Sequence, residues 1–204
     1  MDGLIRGLTV TDFESRGLEG IALSSVRDAT LTGVRIDEPR GLGTPNAFEF
    51  HAGIHCLNCT NAAFRDVAIA GGDTANLSYA VFVQDGANVT FVDAWASAKT
   101  LRTPIRIDGT QSTVPPNLLE RFEISEGPGG VGLRNVRDWT LRDVHVVRVT
   151  ECEEAAFVVE GSTNVTCTRC TVGDICPQAL AAGGLTVVRN AEGVGAAPPL
   201  NLCF

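Results

Sequence analysis

Apolar and polar side chains alternate over short stretches of this chain, and one seventeen-residue arrangement of them keeps returning. It is read at 20–36 (GIALSSVRDATLTGVRI), 53–69 (GIHCLNCTNAAFRDVAI), 80–96 (AVFVQDGANVTFVDAWA), 130–146 (GVGLRNVRDWTLRDVHV) and 156–172 (AFVVEGSTNVTCTRCTV). With the phrase numbered 1 to 17, position 2 holds Ile21, Ile54, Val81, Val131 and Phe157. Position 4 holds Leu23, Cys56, Val83, Leu133 and Val159, and position 12 holds Leu31, Phe64, Phe91, Leu141 and Cys167. Position 17 is Ile36, Ile69, Ala96, Val146 and Val172. Period-two spacing on each side predicts two short β-strands. Between them, position 9 is Asp28, Asn61, Asn88, Asp138 and Asn164. Short polar side chains of this kind bond nearby backbone and tolerate unusual dihedrals, so they predict a turn.

A diverged unit, four residues longer at its turn, fits at 104–124, and a last one starts near 184. Unit starts at 20, 53, 80, 104, 130 and 156 are spaced by 24 to 33 residues, with the excess in loops such as Asp37–His51. One such unit cannot bury its apolar face alone, but units stacked on each other can. Apolar columns with no helical pattern between them predict a parallel β-solenoid. Propeller blades need longer repeats, and leucine-rich repeats carry a Leu/Asn signature that is missing here. Residues 1–204 therefore read as a single β-helix domain of about seven to eight coils. Asp2–Val10 aligns with Asp28–Ile36, and Gly184–Phe204 matches the 104–124 unit in length. A chain that starts in mid-coil, without an amphipathic capping helix, is expected to be a segment of a longer solenoid.

The G-I-x-L and N-V-T-x-x-x-V-x-I phrases resemble those of right-handed parallel β-helix proteins, the pectin-lyase-like superfamily, over nearly the whole chain. The resemblance implies an all-β, right-handed, single-stranded parallel β-helix. It implies little about activity, because the phrase encodes coil geometry. The N-T-D, D-D, G-H-G and R-I-K motifs of the pectin-degrading hydrolases are absent, as is the D-P-H-E signature of alginate epimerase-like proteins. LRTPIRID at 101–108 slightly resembles the Arg-Pro-Arg stretch of pectate lyases through Arg102, Pro104 and Arg106.

Charge narrows the partners. The net charge is −8 and Lys99 is the sole lysine, so the basic stripe that nucleic acid requires is missing. There is no apolar run long enough to insert in a membrane, and MDGLIRGLTV is not an intact signal peptide. Cys56/Cys59 and Cys167/Cys170 have zinc-ribbon spacing, yet all four fall in inward columns, where Cys acts as a small hydrophobe. Four coils, roughly 19 Å at about 4.8 Å each, separate the two pairs, so one zinc cannot join them. Buried thiols are the expectation, with a disulfide inside a pair as the alternative. Cys152 and Cys176 follow their units in successive loops and are disulfide candidates, which would require an oxidising compartment. Sequons at Asn58, Asn76, Asn88 and Asn164 make these asparagines glycosylation candidates. His51, His55 and Cys56 are expected to diverge, so no metal is assigned.

Chemistry, if present, is expected on the outward ladders of the second strand. Position 14 reads Gly33, Asp66, Asp93, Arg121, Asp143 and Arg169; position 16 reads Arg35, Ala68, Trp95, Glu123, His145 and Thr171. Asp93, Arg121 and Asp143 are the catalytic candidates, with Arg121 a charged electrophile or, with a depressed pKa, a base. Asp66, Trp95, Glu123 and His145 are the ligand-binding candidates: an indole stacks on a sugar ring, and charged groups bond hydroxyls or a uronate. The bland alternative is that outward strand positions are polar and opposite charges on adjacent strands offset each other. Two function classes follow. The first is an extracellular, cell-surface or virion-surface structural or adhesive module without a cofactor, whose partner is a glycan or neighbouring segments of an assembly. The second is a polysaccharide lyase or glycoside hydrolase acting on an acidic polysaccharide; only the lyase brings in Ca²⁺, held by adjacent aspartates.

Overall fold

The computed structural model describes residues 5–16, 20–38, 52–70, 78–97, 100, 103–110, 117–150, 155–174, 186–189 and 195–196. The described elements are β-strands in two sheets, and every strand pair is parallel. The first sheet runs in the order Ile5–Arg6, Val26–Asp37, Thr60–Ala70, Ala87–Ser97, Asn117–Ile124, Arg137–Arg148, Thr163–Thr168 and Gly195–Ala196. Thr9–Thr11 and Glu14–Arg16 also pair with Val26–Asp37, and Thr171–Asp174 pairs with Arg137–Arg148. The second sheet stacks Ile21–Ser24, Ala52–Leu57, Tyr79–Gln84, Ile105–Asp108, Val131–Arg134, Phe157–Glu160 and Thr186–Arg189. The chain alternates between the two sheets and each strand pairs with its equivalent one coil on, which is a parallel β-solenoid.

The register follows the sequence columns: Ile21, Ile54, Val81, Ile105, Val131 and Phe157 lie side by side. What bends the ribbon into coils is a set of left-handed residues, in three columns. Position 6 has Ser25, Asn58, Asp85, Gly109, Asn135 and Gly161 at positive φ. Position 9 has Gly7, Asp28, Asn61, Asn88, Asp138 and Asn164, and position 14 has Asp12, Gly33, Asp66, Asp93, Arg121, Asp143 and Arg169. Across each such corner the side-chain alternation slips, so the buried positions are 2, 4, 7, 10, 12, 15 and 17. In the coil of residues 20–38, Leu23, Val26, Ala29, Leu31, Val34 and Ile36 are buried accordingly.

The core is filled along these columns. Phe64 and Phe91 stack with ring centroids 4.4 Å apart and 4° between planes. Phe122 meets Phe91 edge-on at 6.3 Å. The buried polar groups of Trp139 and Asn117 are bonded, as burial requires. Trp139 Nε1 donates to Thr110 Oγ1 at 2.5 Å. Asn117 Oδ1 accepts the Val89 N–H at 2.8 Å, and its Nδ2 donates to the Arg137 carbonyl at 3.4 Å.

Two expectations change. Val10 pairs with Leu31 and Ser15 with Ile36, so Gly7–Ser15, not Asp2–Val10, matches Asp28–Ile36. That register puts Leu8, Val10 and Phe13 against the core and gives the two corners to Gly7 and Asp12. The second change concerns the cysteines: Cys56–Cys59 and Cys167–Cys170 are disulfides, not buried thiols. Each pair straddles a left-handed corner, at Asn58 and Arg169 respectively. The corner turns two inward side chains toward one another with Cα atoms 5.8 Å and 6.0 Å apart, inside the range a disulfide spans. The Asp37–His51 loop beyond Glu38, the four-residue excess of the 104–124 unit and most of Gly184–Phe204 lie outside the described residues.

Transplanting the corner tests this account of the disulfides. Leu133→Cys with Val136→Cys, positions 4 and 7 of another coil, is expected to oxidise spontaneously in air. Ile105→Cys with Ile107→Cys, inward on one straight strand, is expected to stay reduced; thiol titration of the denatured proteins distinguishes them. A corner glycine supplies a second test. Gly161 sits at φ +57 and a Cβ there would lie 2.4 Å from Asn135 Oδ1. Gly161→Ala is therefore expected to cost about 1–3 kcal/mol in denaturant unfolding, part of it recovered by adding Asn135→Ala.

Candidate functional site

The position-14 candidates are held at a corner of the coil, not along a straight strand. Asp66, Asp93, Arg121 and Asp143 all have φ between 49° and 57°. Asp66, Asp93 and Arg121 are exposed and Asp143 is half-buried. The flanking register, Phe122 beside Ala94 and Val144, sets Arg121 between Asp93 and Asp143. At the left-handed Arg121 and Arg169 the side chain lies along the solenoid axis and reaches the aspartate of the preceding coil.

Three aspartates of the ladder, Asp66, Asp93 and Asp143, are paired with an arginine. Arg121 holds Asp93 with two bonds, Nε to Oδ1 at 2.5 Å and Nη2 to Oδ2 at 3.0 Å. Arg169 holds Asp143 in the same two-pronged way, its Nη2 2.6 Å from Oδ2. Arg35 reaches Asp66 from position 16, with Nη2 2.8 Å from Oδ1 and Nη1 2.8 Å from the carbonyl oxygen. On the neighbouring face Glu120 accepts from Arg142 at 3.2 Å and lies 3.1 Å from Arg121 Nη1. The Arg121 hydrogen bond holds the Asp93 carboxyl below its usual pKa, and the Arg169 bond does the same for Asp143. Arg121 is pushed upward in turn, first by its bond to Asp93 and then by the charges of Asp93, Glu120 and Asp143. The guanidinium is thereby held protonated, opposite to the depressed pKa that a base at this position requires. A general acid needs a raised carboxyl pKa, and both aspartates move the other way.

Position 16 is arranged differently. Trp95, Glu123 and His145 are in-register neighbours on three successive strands. Trp95 is half-buried and donates Nε1 to Ser125 Oγ at 2.8 Å. His145 is half-buried with Nδ1 against Thr171 Oγ1. Glu123 is exposed and makes no ion pair with any described residue. The residue in register with Trp95 on the other side is Ala68, which offers only a methyl group. Among the described residues no three His, Cys, Asp or Glu side chains are grouped to hold a metal ion.

The sequon asparagines separate in the same way. Asn88 Nδ2 donates to Asn61 Oδ1 at 2.9 Å, and Asn61 Nδ2 to Asp28 Oδ1 at 2.7 Å. Asn164 Nδ2 donates to Asp138 Oδ1 at 2.5 Å. The atom a glycan would occupy is therefore engaged in the coil stack at Asn88 and Asn164, whereas Asn58 is exposed on its corner. Asn76, Cys152, Cys176, His51 and Arg102 lie outside the described residues. Arg106 pairs with Asp108 at 2.8 Å, on the other sheet from the position-14 ladder. His55 stacks on Phe82 at 5.1 Å with Nε2 buried and unbonded, and burial lowers its pKa.

Sequence reasoning reached the two ladders but missed Ser125 and Thr171 as the groups that fix Trp95 and His145. Ser125 stands just past the end of the seventeen-residue phrase, where no apolar column drew attention to it. The arrangement as a whole sets a row of ion pairs beside an anchored indole, an exposed carboxylate and an imidazole.

Neither a family model nor a curated protein matches the chain. Among solved structures it is similar to HetL, a pentapeptide repeat protein involved in heterocyst differentiation regulation from the cyanobacterium Nostoc sp. strain PCC 7120. The identity is 9%, covering 94% of this chain and 89% of that one, with a TM-score of 0.18. The fold assignment rests on the strand pairing itself.

Proposed function

We propose that this chain is a structural or adhesive module of an extracellular, cell-surface or virion-surface assembly, which carries a glycan on the outer ladder of positions 14 and 16. Its solenoid is of the right-handed, pectin-lyase-like kind, and the work it does is binding. The observation that carries the reading is the pairing of Asp66, Asp93 and Asp143 with Arg35, Arg121 and Arg169. Asp93 and Asp143, held ionised by guanidinium groups, are poor donors of a proton to a glycosidic oxygen, and the paired charges make a rigid, balanced surface. The Cys56–Cys59 and Cys167–Cys170 disulfides support an oxidising compartment, where such bonds persist. Trp95, held by Ser125, supplies the flat apolar surface on which a sugar ring stacks.

The test is a panel of neutral, amino and acidic polysaccharides offered to the whole chain, scored for retention of protein and for polymer length. Retention on at least one polymer, with its length unchanged, is the expected outcome. Shortening of any polymer with new reducing ends or unsaturated uronate products, abolished by Asp93→Asn, would instead make this the enzyme of the alternative reading.

A further inference from the structure

We infer that the glycan taken at positions 14 and 16 is an amino sugar polymer, bound with a free ammonium group on Glu123 and a sugar ring against Trp95. The inference rests on the binding reading above and adds the class of ligand to it. Five arginines stand near this face; four already have a carboxylate, and the fifth, Arg65, is exposed at position 13 with its charge acting on Asp93. Arg35 has Asp66, Arg121 has Asp93, Arg169 has Asp143 and Arg142 has Glu120. Only Arg65 is left for a uronate, and it stands in register with Val92, outside the row of Trp95, Glu123 and His145. Glu123, in contrast, is exposed, lies between Trp95 and His145 in register, and is not among the charges that act on Arg121. The unmatched charge of the Trp95–Glu123–His145 row is therefore negative, as is the −8 of the whole chain.

Geometry makes this a site for a sugar and not only for a cation. Adjacent strands lie about 4.8 Å apart, so the indole and the carboxylate are neighbours within one ring's reach. Ala68 leaves one side of Trp95 beside a methyl group, and the bond to Ser125 fixes the ring, so little ordering is lost when a ligand stacks on it. A cation beside an indole is also attracted to its face. His145 uses Nδ1 toward Thr171, which leaves Nε2 for a hydroxyl of the next sugar.

The experiment measures binding of the whole chain to a glucosamine oligosaccharide, its N-acetylated counterpart, an oligogalacturonate and a lysine-rich peptide at two salt concentrations. Expected is binding of the glucosamine oligomer about tenfold tighter than its N-acetylated form, weakened by salt because charge attraction is screened. Glu123→Gln, an exposed isosteric change, is expected to abolish the difference between these two ligands. Trp95→Ala is expected to weaken both, and Trp95→Phe, which keeps a ring, to restore most of the loss if the Ala variant folds poorly. Preference for the oligogalacturonate, or equal binding of the amine and the N-acetyl form, overturns the amino sugar while leaving glycan binding intact. Binding of the peptide alone through Glu123 and Trp95 overturns it as well. No binding to any glycan overturns both this inference and the reading beneath it.

Discussion

The left-handed corner is the constraint from which the rest of this solenoid follows. An L-residue at positive φ costs about 1–3 kcal/mol unless its surroundings compensate, and the described residues contain sixteen such non-glycine positions. Twelve are Asp or Asn, whose short polar side chains tolerate this region best. Each corner shifts the alternation by one residue, which keeps apolar side chains inside on both sides of the bend. The closed core, the ladders of outward polar groups and the two disulfides are all consequences of that shift.

Stacking gives the corners their compensation, and it has a direction. At position 9 each Asn donates to the coil before it, Asn88 to Asn61 and Asn61 to Asp28, and Asn164 donates likewise to Asp138. Asp stands where a run begins. The residue of the preceding coil beside Asp28 is Gly7, which has no side-chain oxygen to receive a donor, and a carboxylate there has only to accept. Position 14 follows the same order with stronger partners: Asp93 precedes Arg121 and Asp143 precedes Arg169. Two arginines at positive φ would otherwise be hard to explain. Their two-pronged bonds to the preceding aspartates are the compensation that Asp and Asn obtain from simpler hydrogen bonds.

The columns at positions 2, 4, 12 and 17 were legible in the sequence because burial acts on every coil alike. The corners were legible only in part. Positions 12 and 17 are both apolar, and an odd separation is incompatible with an unbroken period of two, so a bend between them was already written in the chain. Cys56 and Cys59, both inward and three apart, carry the same signal, and reading it would have turned two free thiols into a disulfide. The start of the chain was misaligned by five residues for a related reason: Ile5 and Val10 imitate positions 12 and 17. Gly7 and Asp12 were the better guides, since they match Asp28 and Gly33 at the corners. At the site, the ladder membership of Asp93, Arg121 and Asp143 could be read from spacing, but their pairing could not. Which arginine takes which aspartate is decided by the direction a left-handed backbone gives the side chain.

This distinction bears on where function can reside in such a molecule. A residue whose polar atoms close the coil stack has few left for a ligand, so Asn88, Asn164, Asp93 and Asp143 serve first to join one coil to the next. Position 16 obeys no such rule. It reads Arg35, Ala68, Trp95, Glu123, His145 and Thr171, a different chemistry at nearly every step, and among the described residues its side chains join coils only where Arg35 meets Asp66, Trp95 meets Ser125 and His145 meets Thr171. Where a repeat keeps its residues alike, geometry explains them. Where it lets them differ and still fixes them in place, as Ser125 fixes Trp95 and Thr171 fixes His145, coil geometry does not account for the differences, and the proposed ligand would.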